Sequence, residues 1–95
     1  MARPKGNLIS LFSQDDYPAS ARANREQGAV TVTLIVSPAG RAMDCRIERS
    51  SGSPALDQAT CRILRARARF DPATDRGGTA VASSYRQEIV WKLPR

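Results

Sequence analysis

The sequence predicts an α+β fold, two helices packed on a three-stranded antiparallel sheet in the order helix–strand–strand–helix–strand. Three observations predict it. Apolar and polar residues alternate over 29–36, over 42–49 and again near the end of the chain, the period of strands with one covered face. Behind Ser53, apolar residues recur at the helical period. Only Ser37-Pro38-Ala39-Gly40 separates the first two strands, which suits a hairpin and is too short for a crossover.

Residues 1–13 carry no sustained period and read as a linker or flexible tail, with "NLISLF" packing loosely and the folded domain occupying 14–95. In "DDYPASARANREQG" the first helix is expected, capped by Asp16 or Tyr17, with Pro18 in its first turn and Gly28 just past its end. "GAVTVTLIV" sets Val30, Val32, Leu34 and Val36 against Thr31 and Thr33. In "RAMDCRIERS", Met43, Cys45 and Ile47 share the face expected to be covered, and Asp44, Arg46 and Glu48 share the other. Ser53 caps the second helix, Pro54 takes its first position, and Asp57 suits the positive end of the helix dipole. That helix gathers Leu56, Ala59, Thr60, Ile63 and Leu64 on one side, with Gln58, Arg62, Arg65 and Arg69 opposite. Arg67 falls inside the apolar arc, where fraying or snorkelling at the helix end is expected to free its charge. "FDPATDRGG" breaks the helix. The closing strand, "TAVASSYRQEIVWKL", aligns Val81, Tyr85, Ile89, Trp91 and Leu93, with Ser83 and Gln87 as polar interruptions.

At 95 residues the chain makes one small domain, near the size where a single core barely suffices. Fifteen Lys and Arg against nine Asp and Glu leave a net charge of +6, so an anionic neighbour such as nucleic acid, lipid head groups or a cell-wall polymer suits the balance. No run approaches the ~20 apolar residues of a membrane span. The basic start "MARPKGNLIS" has too short an apolar stretch for a signal peptide, so a protein working outside the cytoplasm is expected to have its targeting segment removed or upstream. There is no His, no Gly-rich phosphate loop and no convincing carboxylate pair, and "SSGSP" and "DRGGT" are turn chemistry. The expectation is therefore a protein that is not an enzyme and holds no cofactor and no metal.

Cys45 and Cys61 are the two cysteines, and four readings compete for them. Zinc needs four ligands, usually Cys or His, and two Cys without His fall short. A nucleophile wants a base or an electropositive pocket, and no His is present to act as base. Two reduced, buried cysteines would simply be small hydrophobes. A disulfide fits the reach best. Cys45 lies about 13 Å of strand back from the intervening turn, and Cys61 lies about 10 Å of helix back from the same turn. Closing such a loop contributes about 3 kcal/mol in the chain-entropy model, and it implies an oxidising compartment.

The residues from Tyr17 onward resemble the C-terminal domain of TonB-type energy transducers. The likeness rests on Tyr17-Pro18 with Ala21, Gly28 and the alternating valines, Pro38-x-Gly40, and Ser50-Ser51-Gly52. It continues through Leu56-Asp57 with Ala59, Arg69-Phe70-x-Pro72-Ala73 and Ile89-x-Trp91-x-Leu93, in order over most of the chain. The resemblance implies a periplasmic domain, normally tethered to the inner membrane by an upstream helix and a proline-rich spacer. Such a domain grips outer-membrane receptors and passes on force from an inner-membrane energising complex. The family tends to carry Gln-Pro-x-Tyr-Pro ahead of the first helix, its Gln touching the receptor. Gln14 matches that Gln, while Asp15 stands in place of the Pro, and Ala68 stands where an aromatic is common.

A TonB-dependent outer-membrane transporter would then offer a short extended segment, accepted by strand addition. The expected partner-binding residues are Gln14 and Tyr17 with Ser83, Ser84, Tyr85, Arg86, Gln87, Glu88 and Ile89 along the last strand. Charges at Arg86, Glu88 and Lys92 equally suit an edge guarded against aggregation, and a homodimer through the same strand is a competing outcome. The alternative function is a basic periplasmic module for an anionic polymer such as peptidoglycan, using Arg62, Arg65 and Arg69 with Arg46 and Arg49, or, as the resemblance also allows, a TonB-like interaction domain of another envelope protein. A solvated helix face explains the same arginines. Nucleic acid is not expected as a partner, since no reader motif and no cluster of stacking aromatics is present.

Overall fold

The computed structural model describes residues 1–93. Along them run β1 (Arg3–Pro4), α1 (Ala19–Ala23), β2 (Gly28–Val36), β3 (Ala42–Arg49), α2 (Pro54–Arg67), β4 (Phe70–Asp71), β5 (Ala73–Thr74), β6 (Ala80–Val81) and β7 (Ser83–Trp91). Short 3-10 turns at Leu8–Leu11 and Gln14–Asp16 precede α1. The long strands form one antiparallel sheet in the order β3–β2–β7, giving the expected α+β arrangement of two helices and a three-stranded sheet. Residues 94 and 95 of the expected domain lie outside the described residues.

Alternation in β2 becomes burial. Val30, Val32, Leu34 and Val36 are fully enclosed, each worth roughly 1.5–3 kcal/mol of apolar transfer. They share the core with Leu56, Ala59, Ile63 and Leu64 of α2, and with Phe70, Ile89 and Trp91. The start of α2 is fixed as its sequence suggests: Ser53 Oγ accepts from the Leu56 N–H at 3.2 Å, with Pro54 at the first position. Asp57 accepts from the Ser51 N–H at 3.0 Å and from the Ser50 and Ser51 hydroxyls. Burial pushes its carboxyl up, but these hydrogen bonds outweigh burial and leave it below the usual carboxylate range.

Several expectations are corrected. The first helix covers only Ala19–Ala23, and its cap is Pro18 rather than Asp16 or Tyr17. The chain turns left-handed at Arg25 (φ 54°), and the Glu26 N–H donates to the Ala21 carbonyl at 2.8 Å. That pattern closes the helix early. Arg67 neither frays nor snorkels; its guanidinium grips Asp16, with Nη1 and Nη2 at 2.7 and 2.9 Å from the carboxylate. Met43 and Ile47 were expected under cover but are 55% and 41% exposed. β3 is an outer strand with two breaks in register, beside Glu48 and Met43, and its side chains reach the rim of α2.

The closing strand is split. Ala80–Val81 pairs with Ala73–Thr74, and β7 begins after Ala82. Residues 1–13, expected as a linker or tail, lie against the domain: β1 pairs with β4, and Ala2 and Leu8 are buried in the core.

The disulfide joins Cys45 of β3 to Cys61 of α2, with Cα atoms 5.5 Å apart. The matched reach of strand and helix from their shared turn accounts for it.

Candidate partner-binding edge

β7 is the most regular strand in the sheet. All nine of its residues pair in unbroken register with β2, from Ser83 opposite Val36 to Trp91 opposite Gly28. Its side chains alternate: Ile89 and Trp91 are buried, Ser83, Tyr85 and Gln87 half-buried, and Ser84, Arg86, Glu88 and Val90 exposed. β2 lies between β3 and β7, so the far side of β7 is free of any strand among the described residues. Its outward groups follow from alternation. The Ser37 N–H donates across the hairpin to the Arg41 carbonyl at 2.8 Å, so Val36, Leu34 and Val32 turn toward β7. Their partners Ser83, Tyr85 and Gln87 turn back toward β2. Arg86 and Glu88 therefore direct their N–H and C=O groups outward. In keeping with this, the Glu88 carbonyl accepts from its neighbour's side chain, Gln87 Nε2, at 2.8 Å.

At its C-terminal end the edge meets a groove of about 620 Å³, lined among others by Ile9, Phe12, Gln14, Tyr17, Val90 and Trp91. Its wall is an aromatic cluster. Phe12 and Tyr17 stand edge-on to Trp91 with ring centroids 5.4 and 5.2 Å away, and Trp91 Nε1 donates to Thr60 Oγ1 at 2.8 Å. Tyr17 is buried; its hydroxyl donates to the Glu26 carbonyl, and burial pushes its pKa up. Gln14 is exposed at the groove mouth, with its carbonyl accepting from the Arg22 guanidinium.

The expected site residues thus divide. Gln14, Tyr17 and Ile89 meet at one groove. Ser83, Ser84 and Tyr85 lie toward the other end of β7, about 20 Å from Ile89 in the case of Ser83. Tyr85 rests against Phe70 there, ring centroids 5.4 Å apart, and Ser83 Oγ is buried without a hydrogen-bond partner among the described residues.

Sequence reasoning missed Ile9 and Phe12, and it missed the clamp that brings them there. Arg67 Nη1 also donates to the Leu11 carbonyl at 2.9 Å, and the Ser13 N–H donates to Asp16 Oδ2 at 2.9 Å. The Ser-x-x-Asp spacing of Ser13 and Asp16 is the local signal of that turn.

The clamp has a pH signature. Hydrogen bonds from Arg67, and then from the Ser13 N–H, lower the Asp16 pKa from 3.8 to about 2. A depressed carboxyl contributes stability that is fully present above its unfolded pKa and is lost as pH falls through its folded pKa. The stability difference between wild type and Asp16→Asn is expected to hold from about pH 7 to about pH 4, to shrink below that and to vanish only below about pH 2. Urea unfolding across that range measures it. A difference undiminished at the acid end would assign Asp16 to packing alone.

Fold and site together define a small α+β domain whose sheet is open along one regular edge that ends in an aromatic groove. Residues 13–93 match the family described as Gram-negative bacterial TonB protein C-terminal. The chain belongs to that family. It is similar to Protein TonB of Pasteurella multocida (strain Pm70), 49% identical over 43 residues that make up 45% of this chain and 17% of that protein. It is also similar to Protein TonB of Neisseria gonorrhoeae, 36% identical over 58 residues, 58% of this chain and 20% of that protein. The matched stretch is thus a fifth or less of either relative. The solution NMR structure of Pseudomonas aeruginosa TonB CTD superposes with a TM-score of 0.65 at 29% identity, covering 83% of this chain and 78% of that one.

Proposed function

We propose that the chain is the periplasmic receptor-binding domain of a TonB-type energy transducer, and that an extended segment of a TonB-dependent outer-membrane transporter adds to β7 as a fourth strand. The observation that carries this reading is the contrast between the two outer strands. β3 is interrupted twice, which blunts an edge, whereas β7 keeps nine uninterrupted pairs. Its outward N–H and C=O groups offer several backbone bonds, each worth roughly 1 kcal/mol net. Gln14 and the groove at Trp91 would meet one end of the incoming segment. Force would reach the domain from an inner-membrane energising complex through parts upstream of this chain. A second copy can compete for the same edge.

NMR titration with a synthetic peptide copying a transporter's extended segment tests the proposal. Shifts are expected along residues 83–89 and at Gln14. Shifts confined to α2 around Arg62 and Arg65, with β7 unmoved, would overturn it. The arginine stripe supplies a second measurement. Changing Arg62, Arg65 and Arg69 to Gln is expected to leave peptide affinity within about threefold at moderate salt, because solvated charges contribute little. A hundredfold loss would favour the anionic-polymer reading instead.

A further inference from the structure

The arginines that share a helix face in the sequence do not share a surface. Arg62 and Arg65 lie on α2, but Arg69 follows the helix and joins a different array. The Lys5 N–H donates to the Arg69 carbonyl at 2.7 Å, continuing the ladder in which Arg3 stands opposite Asp71. On its other side Arg69 forms an antiparallel bridge with Arg41. Residues directly opposite one another in a ladder share a face. Lys5, Arg69 and Arg41 therefore stand in one row across three segments, all exposed, while Ala2, Phe70 and Ala42 fill the buried side. Gly40 holds the third segment close: its φ is 81°, and a Cβ there would run into the Phe70 carbonyl.

Like charges placed directly opposite destabilise a ladder. Asp71, in the neighbouring row, relieves part of this from 3.7 Å off Lys5 Nζ. Arg69 Nη1 donates to the carbonyls of Ala66 and Ala68 at 3.3 and 3.0 Å, which orients its guanidinium at the end of α2. Arg3 adds a fourth exposed cation beside Asp71. The fold thus keeps three exposed cations in register on adjoining segments, with Asp71 their one acidic partner among the described residues.

We propose that the row Lys5–Arg69–Arg41 is a docking face for the phosphate head groups of an anionic lipid surface. A row of exposed cations complements a plane of closely spaced phosphates, against which each basic residue strengthens binding about fivefold. No aromatic side chain stands in the row for a nucleobase to stack on. The site shares no residue with the β7 edge, so it stands or falls independently of the strand-addition reading.

Co-sedimentation of the full chain with phosphatidylglycerol–phosphatidylcholine vesicles, against pure phosphatidylcholine vesicles, tests it. Binding is expected only to the anionic vesicles and to fade at about 0.3 M salt. The triple variant Lys5→Gln/Arg41→Gln/Arg69→Gln is expected to lose about a hundredfold, and Arg41→Gln alone about fivefold. The control Arg62→Gln/Arg65→Gln/Arg76→Gln removes the same charge elsewhere and is expected to stay within about fivefold of wild type. Equal losses in both triples would reduce the effect to net charge and overturn the proposal. So would equal binding to the neutral vesicles, or release from the vesicles by peptidoglycan fragments or pyrophosphate at matched charge. Thermal unfolding gives an independent check: relieving repulsion in Arg41→Gln is expected to raise Tm by about 2 °C. A fall in Tm would mean that the row serves the fold, and would overturn the docking role.

Discussion

Proline at Arg86 or Glu88 is expected to weaken binding of an extended peptide at least tenfold, and proline at both about a hundredfold, in a protein that remains folded. The expectation rests on which way each backbone group points. Both residues direct their N–H away from β2, so proline there removes a donor at the open edge and none from the sheet. Losing one net hydrogen bond of about 1 kcal/mol accounts for most of a tenfold change. The ring also crowds the incoming strand. The opposite parity behaves differently: proline at Tyr85 or Gln87 breaks a bond to Leu34 or Val32 of β2 and is expected to destabilise the fold. Calorimetric titration, with the NMR spectrum of each variant as a check on folding, separates the two sets. Unchanged affinity in the folded Arg86→Pro/Glu88→Pro double variant would rule out β7 as the receiving edge.

Removing the Cys45–Cys61 disulfide is expected to cost about 3 kcal/mol, which in a domain of this size lowers Tm by roughly 15 °C. In the chain-entropy model the size comes from the loop the bond closes in the unfolded chain, a sequence separation of 16, and packing on this flank offers little to replace it. Met43 is 55% exposed and Ile47, at the rim of α2, is 41% exposed. Little apolar burial therefore holds β3 against α2 once the covalent link is gone. The β2–β7 ladder and the Trp91 cluster do not involve Cys45 or Cys61. The Cys45→Ser/Cys61→Ser variant is accordingly expected to keep peptide affinity within about threefold at a temperature where it is folded. Unfolding with and without reductant measures the first quantity, and titration measures the second. A Tm change of about 3 °C or less would show that noncovalent packing already secures β3.

What the sequence determined by itself was local. The alternation of Val30, Val32, Leu34 and Val36 set which face of β2 is buried, and Ser53-Pro54 set where α2 begins, because backbone period and capping are properties of neighbouring residues. The cysteine pairing was legible for a related reason: one short turn fixes the reach of the strand and helix on either side of it. A pattern of this kind names a face without naming what covers it. The face of Met43, Cys45 and Ile47 is apolar in pattern, yet α2 covers only part of it, at Cys45 and the rim by Ile47. Tertiary structure alone decided the rest. It chose β2 rather than β3 as the neighbour of β7, and set Phe12 and Tyr17 against Trp91. It joined Asp16 to Arg67 and aligned Lys5, Arg69 and Arg41. Each of these depends on contacts between residues far apart in the chain, where the fit of the side chains that meet must outweigh the entropy of closing a long loop, and no local period reports that fit.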